Sequence, residues 1–183
     1  MIVLETIEYL AKFPDRSGML KAFVSGKSSV AGYAALKTEI ENMAIHSLTP
    51  EVKGFVIGSD LDDVKLMIGQ QSDMFMFFDY GEFFSNRNRQ NSIENKWSCA
   101  LTIATKMDGE RDAIEFGLNS DTTLTTLRKI IVQMEQDQRL TSWLRQISDE
   151  YTLEPFNNKP LASYGWTMFF SRLGADMLNI KNL

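Results

Sequence analysis

The sequence predicts an α+β domain, with an antiparallel-dominated sheet covered by helices on one face and a helical N-terminal extension. Three observations carry this. Lys96 to Met107, KWSCALTIATKM, alternates with period two: Trp97, Cys99, Leu101, Ile103, Thr105 and Met107 fall on one side, and Ser98, Ala100, Thr102, Ala104 and Lys106 on the other. Residues 1–48 repeat their apolar side chains at helical spacing instead. Beyond Thr49-Pro50, short apolar runs alternate with helical patterns, as in a sheet packed against helices.

Val3, Leu4, Ile7, Leu10 and Ala11 mark a helix over about residues 2 to 13, stopped by Pro14-Asp15. Met19 to Val24 fits either a helix or a strand. Ser28 or Ser29 then caps a helix from about 30 to 46, turning on Val30, Tyr33, Ile40 and Met43. Val52 to Ile57 reads as a short strand, and Asp60 caps a helix over 61–68, although LDDVKLMI is also compatible with extended chain. Met74 to Tyr80, or on to Phe84, is a strand apolar on both faces, with Gly81 marking a bulge. Residues 85–95, SNRNRQNSIEN, form a long polar connection to the Lys96–Met107 strand. Helix over Thr122 to Ser148 and a closing strand, Ser163 to Ser171, complete the chain. The order after Pro50 is strand, helix, strand, strand, helix, strand, which is the split βαβ order of a ferredoxin-like plait. The chain is thus expected to be one domain, with 1–48 as the extension and 50–183 as the α/β core.

The long helix cannot be straight and bury all its apolar residues. At about 100° per residue, Leu124, Ile130, Ile131 and Met134 lie within about 60° of Leu127, whereas Leu140, Trp143, Leu144 and Ile147 point the opposite way. A break is therefore expected within Glu135–Arg139, with Thr141 or Ser142 opening a second helix. The apolar set around Trp143 and Leu144 is left without an obvious home.

At 183 residues, 44% apolar and 23% charged, the chain can bury a core without staples. The net charge of −5 is spread over both halves, so no basic segment stands ready to bind phosphate backbone, and nucleic acid is disfavoured as a partner. A single cysteine, Cys99, sits in the apolar register of its strand as a small buried hydrophobe and cannot form an internal disulfide. Glu5 and Glu8 interrupt the first apolar run, which does not read as a signal peptide, and no run approaches the roughly 20 apolar residues of a membrane span. A cytoplasmic location with no membrane partner is expected.

Chemical motifs are weak. Gly26-Lys27-Ser28 imitates a phosphate loop, but Lys21 stands where the first glycine belongs, so nucleotide binding through a degenerate loop is only an alternative, with Asp79 as its magnesium-holding carboxylate. Asp79 and Glu82 flank Tyr80-Gly81 and could serve as acid and base or as hard-metal ligands; exposed carboxylates at a strand end are more commonly solvated. His46, the lone histidine, ends a helix and has no second nitrogen or thiol partner for zinc. Neither a cofactor nor a catalytic residue is assigned. Regulation by a small effector at a ferredoxin-like sheet edge is a further alternative, by analogy of fold alone.

FDYGEFFSNRNRQNSIENKWSCALTIAT, the helix after Ser120-Asp121 and the closing GWTMFF strand together resemble the layout of small tail-completion and head-tail joining proteins of bacteriophages and prophages. The resemblance implies a structural, non-enzymatic role, with subunits forming a ring, the hairpin loop pointing into a channel or neighbour, and other virion proteins as partners. Self-association is the preferred reading. Arg87 and Arg89 in the loop, with Trp143, Leu144 and Trp166, are the expected interaction residues. The terminal Met177, Leu178, Ile180 and Leu183 are further apolar candidates.

Overall fold

In the computed structural model, which describes residues 2–23, 28–87, 93–107, 112–140, 144–148 and 150–174, the strand around Leu101 is the middle of a five-stranded sheet. The strands are β1 (Gly54–Gly58), β2 (Phe75–Arg87), β3 (Ile93–Lys106), β4 (Thr152–Asn158) and β5 (Ser163–Gly174), in the spatial order β1-β2-β3-β5-β4. β1 and β2 run parallel, and the other neighbouring pairs antiparallel. The helices are α1 (Ile2–Leu10), α2 (Arg16–Lys21), α3 (Tyr33–Asn42), α4 (Leu61–Gly69) and α5 (Ala113–Asp137).

The fold is α+β as expected, but its strand order is not the split one. A split βαβ unit needs a third strand between its first two, whereas α4 here returns the chain to a directly adjacent β2, pairing Gly54 with Phe75 and Gly58 with Asp79. The reason lies in the side chains. Phe55 and Val56 are buried on opposite faces of β1, and Phe75, Met76, Phe77 and Phe78 are all buried in β2. Two runs apolar on both faces pair most favourably with each other, inside a sheet covered on both sides.

That covering also corrects the expectation of helices on one face. The first face carries Met76, Phe78, Trp97, Cys99, Leu101, Ile103, Met168 and Phe170, and packs against Leu127, Ile130, Ile131 and Met134 of α5. On the second face, Phe75, Phe77 and Ala104 join Val56 under Val64 and Ile68 of α4. Residues 61–68 are therefore helix. Asp60 caps them, its carboxylate accepting from the Asp62 N–H at 2.7 Å.

The N-terminal segment is built into the first layer rather than hung beside it, with Leu10, Phe13, Met19 and Ile40 in the same buried cluster as Leu127. Polar groups lock this contact. Tyr9 Oη donates to Asp137 Oδ2 at 2.9 Å, Gln133 Nε2 donates to Asp137 Oδ1 at 2.9 Å, and Lys12 bonds the same carboxylate while lying over the Tyr9 ring. The ambiguous Met19 region is helical, as α2. α3 is shorter than expected: Gly32, with φ of 85°, stands at its N-cap in place of Ser28 or Ser29, and it ends before His46. His46 is exposed, its Nδ1 3.1 Å from Ser47 Oγ, and caps nothing.

α5 breaks where the opposed apolar faces required, at Asp137, and Leu144–Gln146 follow as a single 3-10 turn. Thr141 and Ser142 lie outside the described residues. Its start was misplaced. The helix begins nine residues before Thr122, at Ala113, where Asp112 Oδ1 accepts from the Glu115 N–H at 2.7 Å.

Candidate interaction surface

The surface is organised by a defect in the central hairpin. Between Asp79 and Glu82 the β2–β3 register slips, and Gly81 takes the left-handed conformation with φ of 50°. A Cβ at Gly81 would stand 2.1 Å from the Ser98 carbonyl oxygen, so glycine is required for closeness as well as for conformation. The bulge is tied on both sides. Asp79 Oδ1 accepts from the Gly81 N–H at 2.8 Å, and Trp97 Nε1 donates to the Tyr80 carbonyl.

The extra residue exchanges the faces of everything beyond it. Before the bulge Met76 and Phe78 face the α5 layer, opposite Ile103 and Leu101. After it Phe83 stands opposite Trp97 on that side, and Phe84 is turned to the other, opposite Lys96. Both are exposed, Phe84 by half. Because β1 ends opposite Asp79, β2 from Glu82 to Arg87 has no strand on its outer side among the described residues. By contrast, the opposite edge of the sheet, β4, is shielded in the usual way by a proline, Pro155, and by exposed Glu154.

A second apolar surface lies at the other end of the strands. The first turns of α5 run past the core, leaving Ile114 and Leu118 72% and 66% exposed. Phe116, 41% exposed, packs edge-to-face with Tyr164, ring centres 5.4 Å apart. Trp166 anchors this part of the helix: its Nε1 donates to the Ser120 carbonyl at 3.1 Å and lies 3.0 Å from Ser120 Oγ.

The residues expected to make contacts fare differently. Trp166 is a half-buried tie between β5 and α5. Leu144 is fully buried in the main core and Ile147 packs against it, which gives half of the unhoused apolar set a home; Leu140 remains exposed, and Trp143 lies outside the described residues. Arg87 is the last residue of β2, paired with Ile93, because the supposed loop is mostly ribbon: Ser85 pairs with Asn95 and Asn86 with Glu94. Arg89 lies outside the described residues, as do Met177, Leu178, Ile180 and Leu183. The surfaces that sequence reasoning missed, Ile114–Leu118 and β4, had signals. Asp112-Ala113-Ile114-Glu115 is a capping pattern, and Pro155 suits an edge strand.

The chemical lures are not assembled into sites. Gly26 and Lys27 lie outside the described residues, but the elements on either side do not suit a phosphate loop: helix α2 precedes it, and α3 starts only at Tyr33, well after Ser28. Asp79 is half-buried with its carboxyl pushed up by burial, against the opposing Gly81 hydrogen bond, whereas Glu82 is exposed. The Cys99 thiol is buried, and burial raises it far above its ordinary value, with Asp79 adding to the effect. Compared with known proteins, the chain matches no family model, no curated protein and no solved structure.

Proposed function

We propose that this chain is a non-enzymatic structural or assembly protein that works by self-association, of the tail-completion or head-tail joining kind found in bacteriophages and prophages. One observation carries the self-association: large apolar side chains stay exposed at both ends of the sheet, Phe83 and Phe84 on the hairpin and Ile114 and Leu118 on α5. Tyr164, beside Phe116, pairs with Thr105 near the end of β3, whereas Phe83 and Phe84 stand opposite Trp97 and Lys96 near its start, so the patches are separated by roughly 30 Å along the strand. Two different patches at opposite ends are what a head-to-tail contact needs, and repeated head-to-tail contacts give rings where the rotation between subunits closes. The phage assignment is supported by the element order of the core and by the projecting hairpin.

The test is a pair of interface variants, Phe84→Ser and Leu118→Ser. Mass measured across concentration should show oligomers for the wild type and monomers for each variant alone. Mixed, the variants should form one-to-one dimers and nothing larger, because each retains the patch that the other lacks. A wild type still monomeric at about 1 mM, where even a contact of about 4 kcal/mol would be half-formed, removes the reading.

A further inference from the structure

Among the described residues, the second sheet face is only half covered. α4 lies over Val56, Phe75, Phe77 and Ala104, and the hydroxyls of Thr102 and Thr167, 2.7 Å apart, mark the end of the covered half. Beyond them the register builds further rows on the same face: Asp79, Ala100, Phe169 and Thr152; then Glu82, Ser98 and Ser171; then Phe84, Lys96 and Leu173. The middle of this area is floored by small side chains, while Phe169 and Leu173 stand up from it, 44% and 46% exposed. Lys96, Ser98, Phe169, Ser171 and Leu173 also line a cavity of about 560 Å³ that Glu150 and Tyr151 wall from the β5 side.

We propose that this distal half of the second face is a docking site for a cationic amphipathic helix of another protein. The covered half shows what the face accepts: α4 is a nine-residue helix that lays Val64 and Ile68 on the same sheet. Thr102 to Lys96 spans roughly 20 Å, which a helix of about 13 residues covers. Small residues at the floor allow its axis to approach closely, and Phe169 and Leu173 offer ridges for its apolar stripe. Charge selects the partner. Glu82 on the β2 side, Glu154 on the β4 side and Glu150 at the cavity wall are exposed, and Lys96 is the basic residue among the described residues of these rows. A helix with lysine or arginine flanking its apolar stripe would meet carboxylates on both sides, whereas an acidic one would be repelled.

The probe is a labelled peptide of about 14 residues, leucines on one helical face and lysines on the rest, with a leucine–glutamate peptide beside it. Binding to the full chain is read by fluorescence anisotropy. The lysine peptide should bind, and Phe169→Ser and Leu173→Ser should each weaken it roughly tenfold or more. Glu154→Lys should weaken it with a shallower salt dependence, and Leu118→Ser, on the far surface, should leave it unchanged. All these positions are exposed, so the variants are checked for wild-type melting and oligomeric mass, which separates this proposal from self-association. Equal binding by Phe169→Ser would show that the peptide merely adheres to an acidic protein, and the proposal would fall. Marked tightening on deletion of residues 175–183 would also overturn it, since the face would then belong to the chain's own tail.

Discussion

Replacing Gly81 with alanine should be among the most damaging single-methyl additions in this chain, and two independent costs add at that position. Its φ of 50° lies in the left-handed region, where a non-glycine residue costs about 1–2 kcal/mol. The new Cβ would stand 2.1 Å from the Ser98 carbonyl oxygen, over an ångström inside normal contact, and that oxygen belongs to the central strand and cannot swing away. Forcing the ribbon apart there adds on the order of 1–3 kcal/mol, as overpacking does elsewhere. The sum is about 3 kcal/mol, or roughly 6–12 °C in melting temperature for a chain of this size. Urea unfolding followed by circular dichroism reads it. Gly32→Ala isolates the first cost, because Gly32 has φ of 85° but open space around it, and should lose only about 1–2 kcal/mol. Gly117→Ala, helical and unobstructed, has neither cost and should gain up to about 1 kcal/mol. A Gly81→Ala protein as stable as the wild type, with Gly32→Ala behaving as expected, would show that the bulge is not the rigid joint argued above.

Leu101→Asp places a charge on a residue with no solvent exposure, between α5 and the middle of the sheet, and should cost about 4 kcal/mol or more; a cooperatively folded, soluble variant would contradict the placement of β3. The Asp137 carboxyl should shape the acid limb of stability. Burial raises its pKa, but hydrogen bonds from Lys12, Tyr9 and Gln133 more than offset this, so the folded value lies below the ordinary one. A lowered folded pKa gives stability that is present above the unfolded value, about 3.9, and is lost as pH falls below it through the folded value. Asp137→Asn should therefore be less stable at neutral pH and show a shallower loss between about pH 4 and pH 2, measured by thermal melts across that range. An unchanged acid slope would remove Asp137 from the clamp.

Legibility in the sequence followed burial on one side. The Lys96–Met107 alternation, the Asp60 cap, the Gly81 bulge and the break near Asp137 were readable because each is a local pattern tied to one buried face. The sheet order was not, because Phe55–Val56 and Phe75–Phe78 are apolar on both faces, and periodicity cannot say which strand such a run will choose. Ser85–Arg87 looked like loop for the opposite reason: Ser85 and Asn86 are both exposed and polar, so no alternation survives in the side chains although the backbone ladder continues. Leu144 was misjudged because helical geometry was extended through residues 138–143; once α5 ends, the 3-10 turn is free to direct that side chain back to the core. For the surface, the projecting start of α5 was hidden because Ile114 and Leu118 point away from the buried stripe of Leu127 and Met134, and Phe116, though in line with that stripe, lies at the far end of the helix beside Tyr164.

The bulge connects this fold to its surface. With strict period two, Phe84 would follow Met76 and Phe78 onto the α5 side, and Phe83 would follow Phe75 and Phe77 onto the other. The slip between Asp79 and Glu82 reverses both, leaving Phe83 across from Trp97 and Phe84 across from Lys96, in line with Leu173. α4 covers the rows of Phe75 and Phe77, and the residues buried in α5 run from Thr123 to Met134, so neither of these two helices is placed to bury the rings. The two rings thus stay exposed on opposite faces of a ribbon whose outer edge has no strand partner from Glu82 onward among the described residues. An exposed aromatic pair on an unshielded edge is a liability in a protein that acts alone. In a chain that also shields β4 with Pro155 and Glu154, leaving this edge open is consistent with a surface meant to be covered by a neighbour.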